Sequence, residues 1–281
     1  MEVRSFNSTK RQVPVIGQGT WYNDEDDRDM AVAALRRGID LGMTHIDTAE
    51  MYLSGMAEQW IAEAMAGRRD EVFLVSKVLP SNASRPETVR ACERSLARLC
   101  TDHLDCYLLH WRGPHPLEET VAAFEELKRD GKILSWGVSN FAVSDLDELK
   151  AITDDPGPVC DQVFYHLEER AIEHAVLPWC ERQNAAIVAY SPFGHGRFPG
   201  PRTPGGRLLT QIAETHSATP RQVALRFLLR REAVFAIPKS SNPKHVEENA
   251  GAGDLRLTET EMERINKAFP LGPQPSELPM L

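Results

Sequence analysis

Asp47, Tyr52, Lys77 and His110 have the side-chain types and the spacing for delivering a proton. Each sits just past a stretch that reads as buried strand: Thr44-His45-Ile46-Asp47, with Tyr52 in the following loop; Val72 to Lys77; and Leu104 to His110. A free phenol, with a pKa of about 10, is a poor proton donor at neutral pH. A neighbouring ammonium favours phenolate and lowers that value. Lys77 is the candidate ammonium, and Asp47 can hold it by an ion pair. His110 can hydrogen-bond a substrate carbonyl oxygen, orienting it or sharing in proton transfer. Together the four suit protonation of an oxygen as a hydride reaches carbon. Singly, each reads as an ordinary surface aromatic, solvated lysine or satisfied structural histidine. Three consecutive strand ends supplying complementary groups change that balance.

The elements that must position these residues alternate through the chain. Apolar runs at 15–17, 44–47, 72–77, 104–109, 133–138, 160–164, 186–189 and 234–237 read as strands. Helical spacing covers 31–41, 57–66, 85–99, 117–129, 143–152, 172–182, 208–216, 220–230, 243–250 and 258–269. Ser84 with Glu87, and Thr258 with Glu261, have capping-box spacing. Near-continuous apolar strands that alternate with helices predict a parallel sheet covered on both faces. Eight such units predict closure into a (β/α)8 TIM barrel, whose strand C-terminal ends converge on one mouth. Val3–Phe6 and Gln12–Val15 predict an N-terminal β-hairpin, and the last helical stretch is an extra C-terminal helix. Phe198–Gly206 reads as a loop, and the tail Pro270–Leu281 is expected over the surface or the barrel mouth. Residues 1–281 are expected to form a single α/β domain, since barrels of this size commonly do.

Composition narrows the function class. The net charge of −9 argues against a nucleic-acid partner, which rewards basic surfaces, but not against an anionic cofactor held by a few local cations. No run of about 18 apolar residues exists to span a membrane, and no signal peptide is recognisable. Cys92, Cys100, Cys106, Cys160 and Cys180 are odd in number, scattered and without a Cys-x-x-Cys pair. Reduced thiols and a cytoplasmic location are therefore expected, which makes the sequons at Asn7 and Asn82 chance matches. No metal motif is present: His-Glu-x-x-His is absent, and His103 and His110 lack the spacing of a helical pair. Gly17-Gln18-Gly19 is half a dinucleotide fingerprint, but Tyr22 stands at the third glycine position and no helix begins there. A Walker loop is also absent.

The chain resembles the aldo-keto reductases from end to end. The resemblance rests on Gly17-Gln18-Gly19-Thr20-Trp21, Ile46-Asp47-Thr48-Ala49-Glu50-Met51-Tyr52, Val75-Ser76-Lys77, Leu108-Leu109-His110-Trp111, Gly131-Lys132-Ile133 with Gly137 to Phe141, Ala189-Tyr190-Ser191-Pro192, and Ile237-Pro238-Lys239-Ser240. It is similar to bacterial members of the methylglyoxal reductase type. The resemblance implies NADPH-dependent reduction of small aldehydes and ketones, with Asp47, Tyr52, Lys77 and His110 as the catalytic tetrad and Tyr52 as proton donor. It also implies NADPH extended across the barrel mouth. Thr20, Trp21 and Asp47 would line the nicotinamide end, and Ser139, Asn140 and Gln162 would bond the carboxamide. Tyr190 would stack on the ring and leave the pro-R hydride facing substrate. Ser191 and Phe193 would contact the pyrophosphate, and Lys239, Ser240 and Ser241 the 2′-phosphate. Glu248 and Asn249 would contact adenine. Many relatives carry arginine where this chain has His245, which would contribute less to phosphate binding. NADPH is thus the expected cofactor, with NADH a weaker alternative.

Trp21, Tyr22 and Trp111, with Phe193, are expected to wall a pocket for small carbonyl compounds. The moderate loop at 193–207 and the short tail predict an open, tolerant site. A monomer is expected. Two other readings compete: a cofactor-sensing regulatory subunit, as channel-associated relatives are, and an unrelated barrel isomerase with Lys77 as a Schiff-base lysine. The first wants an N-terminal tethering extension, which this chain does not offer. The second wants a neutral lysine, which Asp47 should prevent.

Overall fold

The computed structural model describes residues 1–22, 27–153 and 157–281, apart from the side chain of Asn7. Strand β1 (Val3–Ser5) pairs antiparallel with β2 (Gln12–Pro14), forming the expected hairpin. Eight parallel strands then follow in sequence order: β3 (Gln18–Gly19), β4 (His45–Asp47), β5 (Phe73–Val78), β6 (Cys106–Leu109), β7 (Trp136–Ser139), β8 (Cys160–Phe164), β9 (Ala186–Tyr190) and β10 (Val234–Ala236). The ring closes between its first and last strands through parallel bridges Ile16–Ala236 and Gly19–Lys239. Gly19 is needed at that seam: a Cβ there would lie 2.6 Å from the Ile237 carbonyl oxygen.

The helices α1 (Arg28–Asp40), α2 (Met56–Ala64), α3 (Arg85–Leu99), α4 (Leu117–Arg129), α5 (Val143–Ala151) and α6 (Val176–Gln183) alternate with these strands. Two helices, α7 (Pro204–Thr215) and α8 (Pro220–Leu228), separate β9 from β10. After β10 come α9 (Pro243–Gly251) and the extra helix α10 (Glu259–Ala268). Side chains alternate across each strand, so the sheet has an outer and an inner packed face. The larger core lies between strands and helices. The smaller fills the ring with Phe73, Val75, Leu108, Val188 and Phe235, plugged from the hairpin side by Phe6. The Phe6 ring packs 4.9 Å from Phe73 and 5.0 Å from Phe235. His45 also lies inside this layer. Burial, with the Lys77 charge above it, pulls its imidazole down to about 3, so it is neutral at physiological pH.

Local chemistry explains the departures from the sequence expectations. Thr258 and Glu261 do form a reciprocal capping box on α10. Ser84 does not cap α3: Glu87 is drawn to Arg90, and the Arg85 N–H goes to the Glu119 carboxylate. Helix α7 begins four residues before the expected 208, because Thr203 accepts the Gly206 N–H at 3.0 Å and Pro204 suits the first helical position. The first barrel strand lies at Gln18–Gly19, just past the apolar run read as strand. The five cysteines are free. Among the described residues no helix is long and apolar enough to cross a membrane, and no cluster of three or more His, Cys, Asp or Glu is placed to hold a metal ion.

Candidate active site

Strand geometry brings the four chemistry-bearing residues to one mouth. Asp47 is the last residue of β4, Lys77 the penultimate residue of β5, and His110 follows β6 directly. Tyr52 stands in the turn after β4, its N–H bonded to the Ala49 carbonyl. The Lys77 ammonium donates to Asp47 Oδ2 at 2.7 Å and to the Thr48 carbonyl at 2.7 Å, and it lies 3.3 Å from the Tyr52 hydroxyl. Both members of the ion pair are buried, at 0 % and 2 % side-chain exposure. The His110 ring lies edge-on to Tyr52, with centroids 5.8 Å apart. Its backbone is fixed by an N–H bond to the Val78 carbonyl.

The charges follow from burial. Removal from water pulls the Lys77 ammonium down, but the Asp47 carboxylate and the Tyr52 oxygen more than reverse this, so its pKa is raised. Lys77 is a held cation, as expected, and not the neutral amine a Schiff base requires. Burial raises the Asp47 carboxyl, opposed by Lys77 and by hydrogen bonds from Lys77 and Gln162. Tyr52 departs from the sequence expectation. Its phenol is raised, because burial outweighs the Lys77 charge and Asp47 adds to the rise. A neutral, hydrogen-bonded phenol is therefore the resting form. Burial and the Lys77 charge pull His110 down to about 2, so its imidazole is uncharged at neutral pH. An uncharged imidazole can donate from one ring nitrogen and accept at the other.

A cavity of about 550 Å³ opens above these groups. Asp47, Tyr52 and His110 line it, with Thr20, Trp21, Tyr22, Trp111, Ser139, Asn140, Gln162, Tyr190, Ser191, Phe193 and Lys239. Lys77 does not line it; fully buried, it touches the lining residues Tyr52 and Asp47. A continuous polar chain runs around the wall. Gln162 donates to Asp47 Oδ1 at 2.7 Å, Ser139 Oγ to the Gln162 carbonyl at 2.8 Å, and the Asn140 amide to Ser139 Oγ at 3.1 Å. The Tyr190 hydroxyl completes it on Asn140 Oδ1 at 2.9 Å. Thr20 is engaged too, donating to the Asp47 carbonyl at 2.9 Å.

Ser240, Ser241, His245, Glu248 and Asn249 do not line the cavity. They lie past Lys239 on the lead-in to α9 and along that helix, with His245 exposed and Asn249 buried. Residues that sequence reasoning missed do line it, among them Met51, His195 and Leu281. The His195 ring stacks on Trp21, centroids 5.3 Å apart and planes 17° from parallel. The tail reaches the mouth as expected, and the Leu281 N–H donates to the Tyr190 hydroxyl at 3.3 Å. Several residues here carry a left-handed backbone that L side chains resist: Leu53, Ser54, Asn140, Ser191 and His195. Strain of this kind gathers at functional sites, and the sequence holds no signal for it, since none of the five is glycine.

A profile of the Aldo/keto reductase family matches residues 15–269. The chain is 46% identical to the methylglyoxal reductase YeaE of Escherichia coli (strain K12), over 92% of each chain. It is 34% identical to the glyoxal reductase of Bacillus subtilis (strain 168), covering 95% of this chain and 94% of that one. Among solved structures, the aldo/keto reductase from Klebsiella pneumoniae in complex with NADP and acetate superposes with a TM-score of 0.94 at 42% identity, covering 100% of both chains.

Proposed function

Since this chain belongs to the aldo/keto reductase family, and is with it an NADP-dependent oxidoreductase of carbonyl groups, we propose that it reduces small aldehydes and ketones at the mouth cavity, with Tyr52 as proton donor. The observation that carries this reading is the 3.3 Å contact between the Tyr52 hydroxyl and a buried, ion-paired Lys77, in a cavity that His110 shares. Glyoxal and methylglyoxal, named in the relatives, are the proposed substrate type. The cavity has aromatic walls in Trp21, Tyr22 and Trp111, with Tyr52 and His110 at its base to meet a carbonyl oxygen, which suits a small reactive carbonyl.

The residues present fit NADPH. Ser139, Asn140 and Gln162 offer hydroxyl and amide groups for a carboxamide, and Tyr190 offers a ring to stack on. Lys239, Ser240 and Ser241, at the positive end of the α9 dipole, suit phosphate, although Pro243 has no N–H and the Lys244 N–H is taken by the cap Asn242. When bound, NADPH supplies hydride to the carbonyl carbon. Everything else falls to this chain. His110 orients the carbonyl oxygen toward Tyr52. Tyr52 passes its phenolic proton to that oxygen as charge develops there. Lys77 stabilises the phenolate left behind, and Asp47 keeps Lys77 charged and in place. A preorganised cation beside developing negative charge, shielded from water, needs no rearrangement as the reaction proceeds.

Titration of the protein's tryptophan fluorescence with both nicotinamides, followed by a carbonyl panel of methylglyoxal, glyoxal and nitrobenzaldehyde, tests the reading. NADPH is expected to bind more tightly than NADH, by a smaller margin than in arginine-bearing relatives because the His245 ring is smaller than a guanidinium and lacks its bidentate fork. Panel members should drive its oxidation. Failure of every carbonyl to oxidise bound NADPH would refute the proposal.

A further inference from the structure

We infer that Glu58 is a positioning residue for the proposed reaction: through Ser76 and Arg98 it sets the placement of Lys77 relative to Tyr52. This rests on the reading of Tyr52 as proton donor. Glu58 lies in α2, fully buried. Its Oε1 accepts from Ser76 Oγ at 2.7 Å, and its Oε2 accepts from Arg98 Nε at 2.5 Å. Ser76 directly precedes Lys77 on β5. Because side chains alternate along a strand, Ser76 faces the helices while Lys77 enters the ring. Arg98, from α3, lies against the turn that follows Tyr52: a Cβ placed on Gly55 would come within 2.8 Å of Arg98 Cδ and Nε.

That turn is the reason a brace is needed. Leu53, Ser54 and Gly55 have φ of 48°, 53° and 91°, three left-handed residues in succession, two of them with side chains that resist the conformation. The turn is tied down by the Ser54 N–H to the Met51 carbonyl at 3.1 Å and by the Met56 N–H to the Leu53 and Tyr52 carbonyls, and Arg98 adds the side-chain contact behind it. One buried carboxylate thus grips the strand bearing Lys77 with one oxygen and, through Arg98, the turn behind Tyr52 with the other. The ammonium-to-hydroxyl distance of 3.3 Å is at the long end for a hydrogen bond, so a small slip of either arm breaks it. Neither Glu58, Ser76 nor Arg98 lines the cavity. Their effect must pass through Lys77 and Tyr52, not through contact with cofactor or substrate.

The test compares kcat, KM and NADPH affinity, with methylglyoxal as substrate, for Glu58→Gln, Arg98→Met and Tyr52→Phe, together with Glu58→Gln carrying Leu53→Gly and Ser54→Gly. Glu58→Gln and Arg98→Met are each expected to lower kcat by about 10- to 100-fold, the scale of an ångström misplacement, with KM and NADPH affinity within about threefold. The two glycines relieve the left-handed strain and should restore most of the kcat lost in Glu58→Gln, which a merely structural role does not predict. If Glu58→Gln does not fold, Arg98→Met is read in its place, with the same glycine pair. A variant that melts lower yet keeps its kcat, or a glycine pair that restores nothing, overturns the inference. Should Tyr52→Phe remain active, the proton-donor reading fails instead. With Tyr52→Phe inactive and Glu58→Gln at full rate, only the positioning role fails.

Discussion

Replacing Tyr52 by phenylalanine is expected to reduce kcat by about 10²- to 10⁴-fold, the range general acid catalysis covers, while NADPH affinity changes by less than about threefold. The ring stays, so the Trp21 neighbour at 6.4 Å and the His110 edge contact at 5.8 Å keep their partner. Only the hydroxyl goes, and with it the proton that a developing alkoxide needs. His110 cannot take over as an acid, because burial beside the Lys77 charge holds its imidazole uncharged. Lys77 does not line the cavity, and its ammonium is held by Asp47 and the Thr48 carbonyl at 2.7 Å each. Stopped-flow turnover together with fluorescence titration checks both halves. A variant retaining more than a few per cent of the rate would place the proton elsewhere.

The second large effect concerns Lys77. Lys77→Met leaves the Asp47 carboxylate buried without its cation, a change that costs about 3–5 kcal/mol when one partner of a buried pair is removed. Turnover should fall by at least about 10²-fold as well, because the phenolate left by proton transfer loses its counter-charge. The double variant Asp47→Asn with Lys77→Met separates the two losses. Replacing both members of a buried pair is often neutral or stabilising by about 1–4 kcal/mol relative to the pair. Chemical denaturation should therefore find the double variant more stable than Lys77→Met, whereas its turnover stays as low. Recovery of activity in the double variant would mean that Lys77 serves the fold rather than the reaction.

How much of this was readable in the sequence varies residue by residue. Asp47, Lys77 and His110 were legible because each falls at or beside the end of a short, buried strand, and parallel strands of one ring must deliver their C-terminal ends to one face. Thr258 and Glu261 were legible because a capping box is a local pattern. Ser84 with Glu87 has the same spacing but fails, since Arg90 competes for the carboxylate from one turn away. The direction of the Tyr52 shift was not legible. The sequence suggests the ammonium beside the phenol but not the depth of burial, and burial wins. His195 and Leu281 were missed for another reason: a left-handed loop and a tail that doubles back place them, and neither leaves a periodic trace. The Glu58 brace joins α2, α3 and β5, three elements whose contact no single spacing announces.

The central claim is that carbon receives a hydride from the nicotinamide while oxygen receives a proton from Tyr52, in one cavity. Tracing deuterium tests it most directly: methylglyoxal is reduced once with NADPH deuterated at the pro-R position in H2O, and once with unlabelled NADPH in D2O. The account predicts one carbon-bound deuterium in the alcohol formed in the first experiment and none at that carbon in the second. Carbon-bound deuterium arriving from D2O at the reduced centre, with none from the cofactor, would contradict it.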